Sequence, residues 1–492
     1  MAFLDARAVA DGATLDADLC IVGAGAAGIT LARELAGRSL RVLVVESGGL
    51  KYDPRTQDLA RGEVAAHAYP PLESARLRMF GGSTNHWSGW CRPLDAVDFE
   101  ERVDVPGSGW PITRAELDRW YPKAHTLCQL GPFDYGAQYW SEASGSPLLA
   151  LGAGPFETSI YQFSPPTHFG VAYRGDLARA SNVRVLLHAN VTRIETPEGG
   201  RAVRRLDVAT LSGTRFAVQA RRFVLACGGI DNARLLLASG LGERLPAIGR
   251  YFAEHPHAPV ALAVLPTETS VLYAGTQAEE TRVRGALATT ESLARTQGVL
   301  RCAVTLDTYE TDPYVDRKSA KESAAAERGF DVASVVGALE GSPRRVFALY
   351  MRTEQAPNPS SRVTLAEERD PLGVPRARLE WRLGGLEQES FRRAVALLGG
   401  ALGRAGTGRV FSRPDADLQF LAGVGGGFHH MGTTRMGTDP RRSVVDRDSR
   451  VHGVANLYAA GSSVFATSGY ANPTLTIVAL ALRLADHLGR QA

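Results

Sequence analysis

Two adjacent histidines stand in a glycine-rich stretch near the C-terminus, Phe428-His429-His430-Met431-Gly432-Thr433-Thr434-Arg435-Met436-Gly437. An imidazole titrates near neutral pH, so one of them could take the proton of an alcohol. On residue type alone, one or both could equally be satisfied structural histidines. Further on, Asn472-Pro473-Thr474 opens a run in which Leu475, Val478, Ala479, Leu482 and Ala485 recur at helical spacing, with Gly489 past the end. Asn472 suits an N-cap and Pro473 the first helical position. A capped helix starting there would offer its positive dipole end to negative charge. The strand-like Asn456-Leu457-Tyr458-Ala459-Ala460-Gly461 leads into that turn.

The elements that must position these groups begin at the N-terminus. Leu19-Cys20-Ile21-Val22 reads as a buried strand, and Gly23-Ala24-Gly25-Ala26-Ala27-Gly28 follows at once. Ile29 to Ala36 reads as a helix, and Arg41-Val42-Leu43-Val44-Val45 as a second strand ending in Glu46. Gly23 permits the tight turn, Gly25 lets a pyrophosphate approach the backbone, and Gly28 lets helix pack on strand. The helix N-terminus offers free N–H groups to phosphate. Glu46 lies about 20 residues on, where a carboxylate reaches ribose hydroxyls. Strand, glycines, helix, strand and acid in this order predict a dinucleotide site, without separating FAD from NAD. Val183 to Leu187 and Val191 to Ile194 read as further strands.

Composition sets the outer bounds. The 492 residues suit two or three domains. A net charge of +3 gives no reason to invoke nucleic acid or an acidic membrane surface. Cys20, Cys91, Cys128, Cys227 and Cys302 are scattered, with no C-x-x-C pair, which argues against a zinc ribbon or c-type haem and for a reducing compartment. The N-terminal segment lacks a signal-peptide pattern, and the apolar run near Ile477 is broken by Arg483, so no membrane span and a cytoplasmic location are expected. Glu254-His255-Pro256-His257 might be taken for metal ligands, but proline breaks the helix that i, i+4 ligands need, so no metal is expected. Lys318 to Arg328 reads as a solvated helix. Pro357-Asn358-Pro359-Ser360-Ser361 reads as a hairpin turn between the strand-like runs 346–350 and 362–365.

Taken together these residues resemble the glucose–methanol–choline (GMC) oxidoreductases. The likeness runs through the N-terminal glycines, Arg78-Met79-Phe80-Gly81-Gly82-Ser83-Thr84-Asn85-His86-Trp87, Gly109-Trp110-Pro111-Ile112, Ala226-Cys227-Gly228-Gly229-Ile230-Asp231-Asn232-Ala233-Arg234, Gly249 to Pro256, and the C-terminal block. Within the family it looks most like the sugar-oxidising branch of pyranose oxidases, glycoside oxidases and fructose dehydrogenases. The resemblance implies an α/β FAD-binding Rossmann-type domain with a discontinuous second α+β substrate domain built on an antiparallel sheet. The implied boundaries are 1–75, 180–255 and 420–492 for the FAD-binding domain, 76–179 for a segment covering the flavin, and 256–419 for the substrate domain.

The implied catalytic pair is His429 and Asn472. His429 would take the hydroxyl proton, Asn472 would hold the developing alkoxide, and the carbon would give its hydride to flavin N5. The implied FAD contacts are Gly23, Gly25, Ala26, Ala27, Gly28, Glu46, Ser47, Gly81, Gly82, Ser83, Asn85, His86, Trp87, Val191, Ala226, Gly228, Gly461, Asn472, Pro473 and Thr474. Val191 would meet the adenine end through its backbone. His86 marks where some relatives bind flavin covalently; a noncovalent flavin is expected here, because the residue before it differs. The expected reaction is oxidation of a primary or secondary alcohol of a sugar, glycoside or polyol, with oxygen, a quinone or a redox protein as acceptor. A non-sugar alcohol of lipid or natural-product metabolism stays open as substrate, as does a flavin- or nucleotide-binding protein without turnover.

Overall fold

A computed structural model describes residues 2–197, 200–308, 343–412 and 423–491. Short apolar runs build its first sheet. Val42–Val45 is buried at every position, as is the second half of Thr14–Val22. Continuous burial of this kind belongs to parallel strands covered on both faces. The two pair in parallel, and the sheet runs outward through Val183–Leu187 and Phe3–Asp5 on one side and Arg215–Leu225 on the other. Leu457–Ala459 pairs in parallel with Arg215–Leu225, so the last strand of the chain joins the first glycine unit. Arg205–Ala209 and Asn190–Glu195 extend the edge antiparallel.

The helix Ala26–Glu34 buries Ala27 to Ala32 against this sheet and packs beside the C-terminal helix Thr474–Arg490. That helix buries Leu475, Val478, Ala479, Leu482 and Ala485, the positions its periodicity predicts. Its start differs from expectation. Pro473 is the capping position, and the Asn472 side chain caps nothing, because both ends of its amide are used elsewhere. Gly489 lies inside the last turn, not past it.

A second sheet is antiparallel throughout, in the order Arg409–Phe411, His257–Pro266, Arg344–Thr353, Cys302–Thr308, Thr281–Thr289, Phe156–Phe163 and Trp90–Cys91. A three-stranded sheet joins Arg362–Arg369, Pro375–Trp381 and Gly62–Ala66. The 357–361 turn therefore links two different sheets and closes no hairpin, since Arg344–Thr353 and Arg362–Arg369 do not pair. The expected helix at 318–328 lies outside the described residues. Among the described residues, no helix is long and apolar enough to cross a membrane.

Candidate active site

A cavity of about 930 Å³ runs from the first glycine turn to the two histidines, between the two large sheets. At one end Gly23 has φ +101°, a conformation that favours glycine, and a Cβ there would meet the Ala226 carbonyl oxygen at 2.6 Å. A Cβ on Gly28 would sit 1.9 Å from the Gly23 carbonyl oxygen, so helix and turn touch through bare backbone. Gly25 has open space where its Cβ would go, and it precedes the helix with no side-chain cap. The first N–H groups of Ala26–Glu34 are thus left for a ligand. Glu46 stands beside them on the cavity wall. Its Oε2 accepts from the Ala24 N–H and its Oε1 from the Gly48 N–H, both at 2.8 Å, while burial pushes its carboxyl up.

Of the expected flavin contacts, Gly23, Gly25, Ala26, Ala27, Glu46, Ser47, Gly82, Ser83, His86, Trp87, Val191, Ala226, Gly228, Gly461, Asn472, Pro473 and Thr474 line this cavity. Gly28, Gly81 and Asn85 do not. Asn85 turns inward and donates to the Phe80 and Gly82 carbonyl oxygens at 3.1 and 2.8 Å, bracing the turn that carries its neighbours. Next to Val191, the Arg76 and Arg78 guanidinium groups hold Asp231 at 2.9 Å and keep its carboxyl well below the usual carboxylate range against the effect of burial. An open glycine cradle, an uncapped helix and an acid at the strand end suit the phosphates and ribose of FAD.

The other end holds the two histidines. Ala253 pairs with Met431 and His257 with Gly425, so His255 comes to face His429 across two antiparallel segments. Phe428 adopts φ +59°, a strained conformation for a bulky residue, and the chain turns there into His429. Glu254 fixes this turn from beneath. Its oxygens accept from the backbone N–H of His255, Gly427 and His429 at 2.8–2.9 Å and from the Tyr69 hydroxyl, and burial pushes its carboxyl up to about 7.

The two adjacent histidines face different surroundings. His429 Nδ1 lies 2.8 Å from His255 Nδ1, and its Nε2 lies 3.3 Å from Asn472 Nδ2. His430 Nε2 lies 2.9 Å from the Tyr69 hydroxyl, and its ring packs near Phe252. Burial first, with the positive charge of Arg352 beside it, holds His429 well below the ordinary imidazole range, so it stays neutral near pH 7. Asn472 Oδ1 accepts from Arg352 Nη1 at 2.7 Å.

The second sheet brings a group of polar side chains to the same cavity as His429. His257, Thr305, Asp307, Tyr350 and Arg352 line the cavity from this sheet, with Pro259, Ala303 and Met351 between them, and Arg284 Nη2 donates to Asp307 Oδ1 at 2.5 Å. None of these was singled out as a substrate contact in the sequence. His255 and His257 were visible only as failed metal ligands. Arg352 gives no local signal in a chain this rich in arginine. Among the described residues, no group of three His, Cys, Asp or Glu side chains could hold a metal.

Comparison with known proteins agrees with this arrangement. Residues 18–319, more than half the chain, match the family "FAD dependent oxidoreductase", and residues 357–481 match "GMC oxidoreductase". The chain is 23% identical to a 2-methyl-1,2-propanediol dehydrogenase of Mycolicibacterium austroafricanum, covering 96% of this chain and 95% of that one. It is 25% identical to a C-glycoside 3-oxidase of Microbacterium trichothecenolyticum, covering 96% of each. The fold is shared with a crystal structure of pyridoxine 4-oxidase from Mesorbium loti, with a TM-score of 0.59 and 19% identity over 96% of this chain and 98% of that one.

Proposed function

This chain belongs to the FAD dependent oxidoreductases, among the GMC oxidoreductases, and from that premise we propose that it oxidises a carbinol carbon of a sugar, glycoside or related polyol. The observation that carries this reading is the set of polar side chains, His257, Thr305, Asp307, Tyr350 and Arg352, that the second sheet brings to the cavity lined by His429. A polyhydroxylated ring would pair such groups. A purely apolar alcohol would offer these side chains no hydrogen bond in place of the water it displaces, which is costly. The kinship to a C-glycoside 3-oxidase supports the same class. That to a 2-methyl-1,2-propanediol dehydrogenase keeps small diols as the second candidate.

In this reading residues 1–75, 180–255 and 420–492 hold the flavin, 76–179 covers it, and 256–419 holds the substrate. FAD, bound along the glycine turn, supplies the two-electron acceptor for the hydride. His429, held neutral chiefly by desolvation of its ring, takes the hydroxyl proton. Asn472 has two amide N–H groups, and the one not turned to His429 donates to the oxygen on which negative charge grows. The uncharged start of Thr474–Arg490 places positive dipole beside the same region. A protein that only bound flavin would need neither side chain. His86 stands on the wall beside Gly82. Because Asn85 replaces the residue that precedes the linking histidine in relatives, the flavin is expected to be noncovalent and acid precipitation to release a yellow supernatant.

Anaerobic bleaching near 450 nm against a panel of sugars, glycosides, small diols and long-chain alcohols tests the proposal. Sugars or glycosides are expected to bleach the flavin fastest. Bleaching by long-chain alcohols alone would contradict it. Readmitted air then tells the acceptor: fast recolouring means oxygen, slow recolouring a quinone or redox protein.

A further inference from the structure

His429 has two ring nitrogens, and only one can carry the lone pair that receives a proton. We propose that His255 and Arg352 act from opposite sides as positioning residues that fix Nε2 of His429 as the basic nitrogen. The proposal rests on the reading of His429 as base and adds which atom is basic and what makes it so.

The direction follows from the two ends independently. At one end His255 Nε2 lies 2.8 Å from the Gly469 carbonyl oxygen and 3.3 Å from that of Ser468. Carbonyl oxygens only accept, so His255 Nε2 carries a proton. His255 is fully buried and burial, with the charge of Arg352, lowers it to about 3, so it is neutral and its Nδ1 is bare. The 2.8 Å contact between the two Nδ1 atoms then requires the proton on His429 Nδ1. His429 Nε2 is left with its lone pair.

At the other end a guanidinium only donates, so the atom of Asn472 that faces Arg352 is the carbonyl oxygen. The Asn472 amide N–H group must then point at His429 Nε2, which has to be an acceptor. Both ends give the same answer. A flip of Asn472 would set its carbonyl against the His429 lone pair and its NH2 against a guanidinium, and Arg352 forbids it. Arg352 is half-buried, lies 5.4 Å from the Trp90 ring centre, and makes no salt bridge among the described residues. Its charge remains for the oxygen that loses its proton. The charged and titratable groups around His429 are His255, His257 and Glu254 from one segment, Arg352 from the second sheet, and His430.

Nitrogen NMR of the flavin-loaded protein with ¹⁵N-labelled histidine, His429 assigned through His429→Gln, reads the tautomer without any substrate. The expected result is a proton on Nδ1 and a bare Nε2 at pH 7. A proton on Nε2 would overturn the proposal. In anaerobic reduction, Arg352→Met and His255→Leu are each expected to slow the flavin by about a hundredfold or more, with KM changed far less. Arg352→Lys and His255→Gln, which keep a donor and a donor–acceptor pair, recover part of the rate. Arg352→Met also removes a charge that holds His429 neutral, so the acid limb of kcat/KM moves to higher pH. Rates within twofold of the parent in both apolar variants, with no shift of that limb, would refute the assignment. If no alcohol bleaches the parent protein, the proposed reaction falls, while the nitrogen spectrum still decides the tautomer.

Discussion

A single carboxylate shows how closely this site depends on individual atoms. Glu254 receives four donors, three from the backbone of the segments that carry His255 and His429 and one from Tyr69. Glu254→Gln keeps the volume but replaces one accepting oxygen with an NH2 group, which then meets two N–H or O–H donors. Buried donors without acceptors cost about 1–3 kcal/mol each. The variant is expected to lose about 2 kcal/mol or more of stability and to slow flavin reduction, read by thermal unfolding and stopped-flow absorbance. An unchanged unfolding midpoint would mean that Glu254 does not hold the loop. Tyr69 and His430 share that anchor: both histidines line the cavity, but His430 is tied through Tyr69 to the carboxylate that holds the loop.

The elements differ in how far they could be read from the sequence. The unit around Gly23, Gly25 and Gly28 was legible because its constraints are local: a turn, a ligand approach and a helix contact within six residues. Gly28→Ala drives a Cβ into the Gly23 carbonyl, so it is expected to lower the thermal midpoint of the flavin-free protein and to abolish binding. Gly25→Ala has room for its Cβ, which would meet nothing within 4 Å, so the flavin-free protein keeps its midpoint while the ratio of flavin to protein absorbance falls. Equal loss of midpoint in both would contradict this division of roles. The Asn472 cap was misread for the opposite reason. Its type and its place before Pro473 suit a cap, yet its amide is committed to Arg352, 120 residues away on another sheet. The turn at 357–361 likewise looked like a hairpin, because only the pairing of its flanking strands reveals two separate sheets. His255 left a trace, two histidines around Pro256 after a glutamate, but its partner is set by the pairing of Ala253 with Met431, which no local pattern encodes.

At the scale of the molecule, the cavity exists because three distant parts of the chain meet. The N-terminal unit brings the glycine turn, the second sheet brings the polar side chains with Arg352, and the C-terminal block brings His429 and Asn472. The strand Leu457–Ala459, paired with Arg215–Leu225, ties that block to the sheet that ends at the glycines. Neither the covering segment nor the substrate sheet is a separate layer, since Trp90–Cys91 and Phe156–Phe163 are strands of the latter. The convergence has one direct test. His429→Ala, purified with its flavin bound, is mixed anaerobically with the sugar or glycoside that bleaches the parent protein, and the 450 nm decay is followed. Loss of the proposed base should slow the decay by about a thousandfold while the flavin stays in place. Decay within tenfold of the parent would show that the proton leaves by another route.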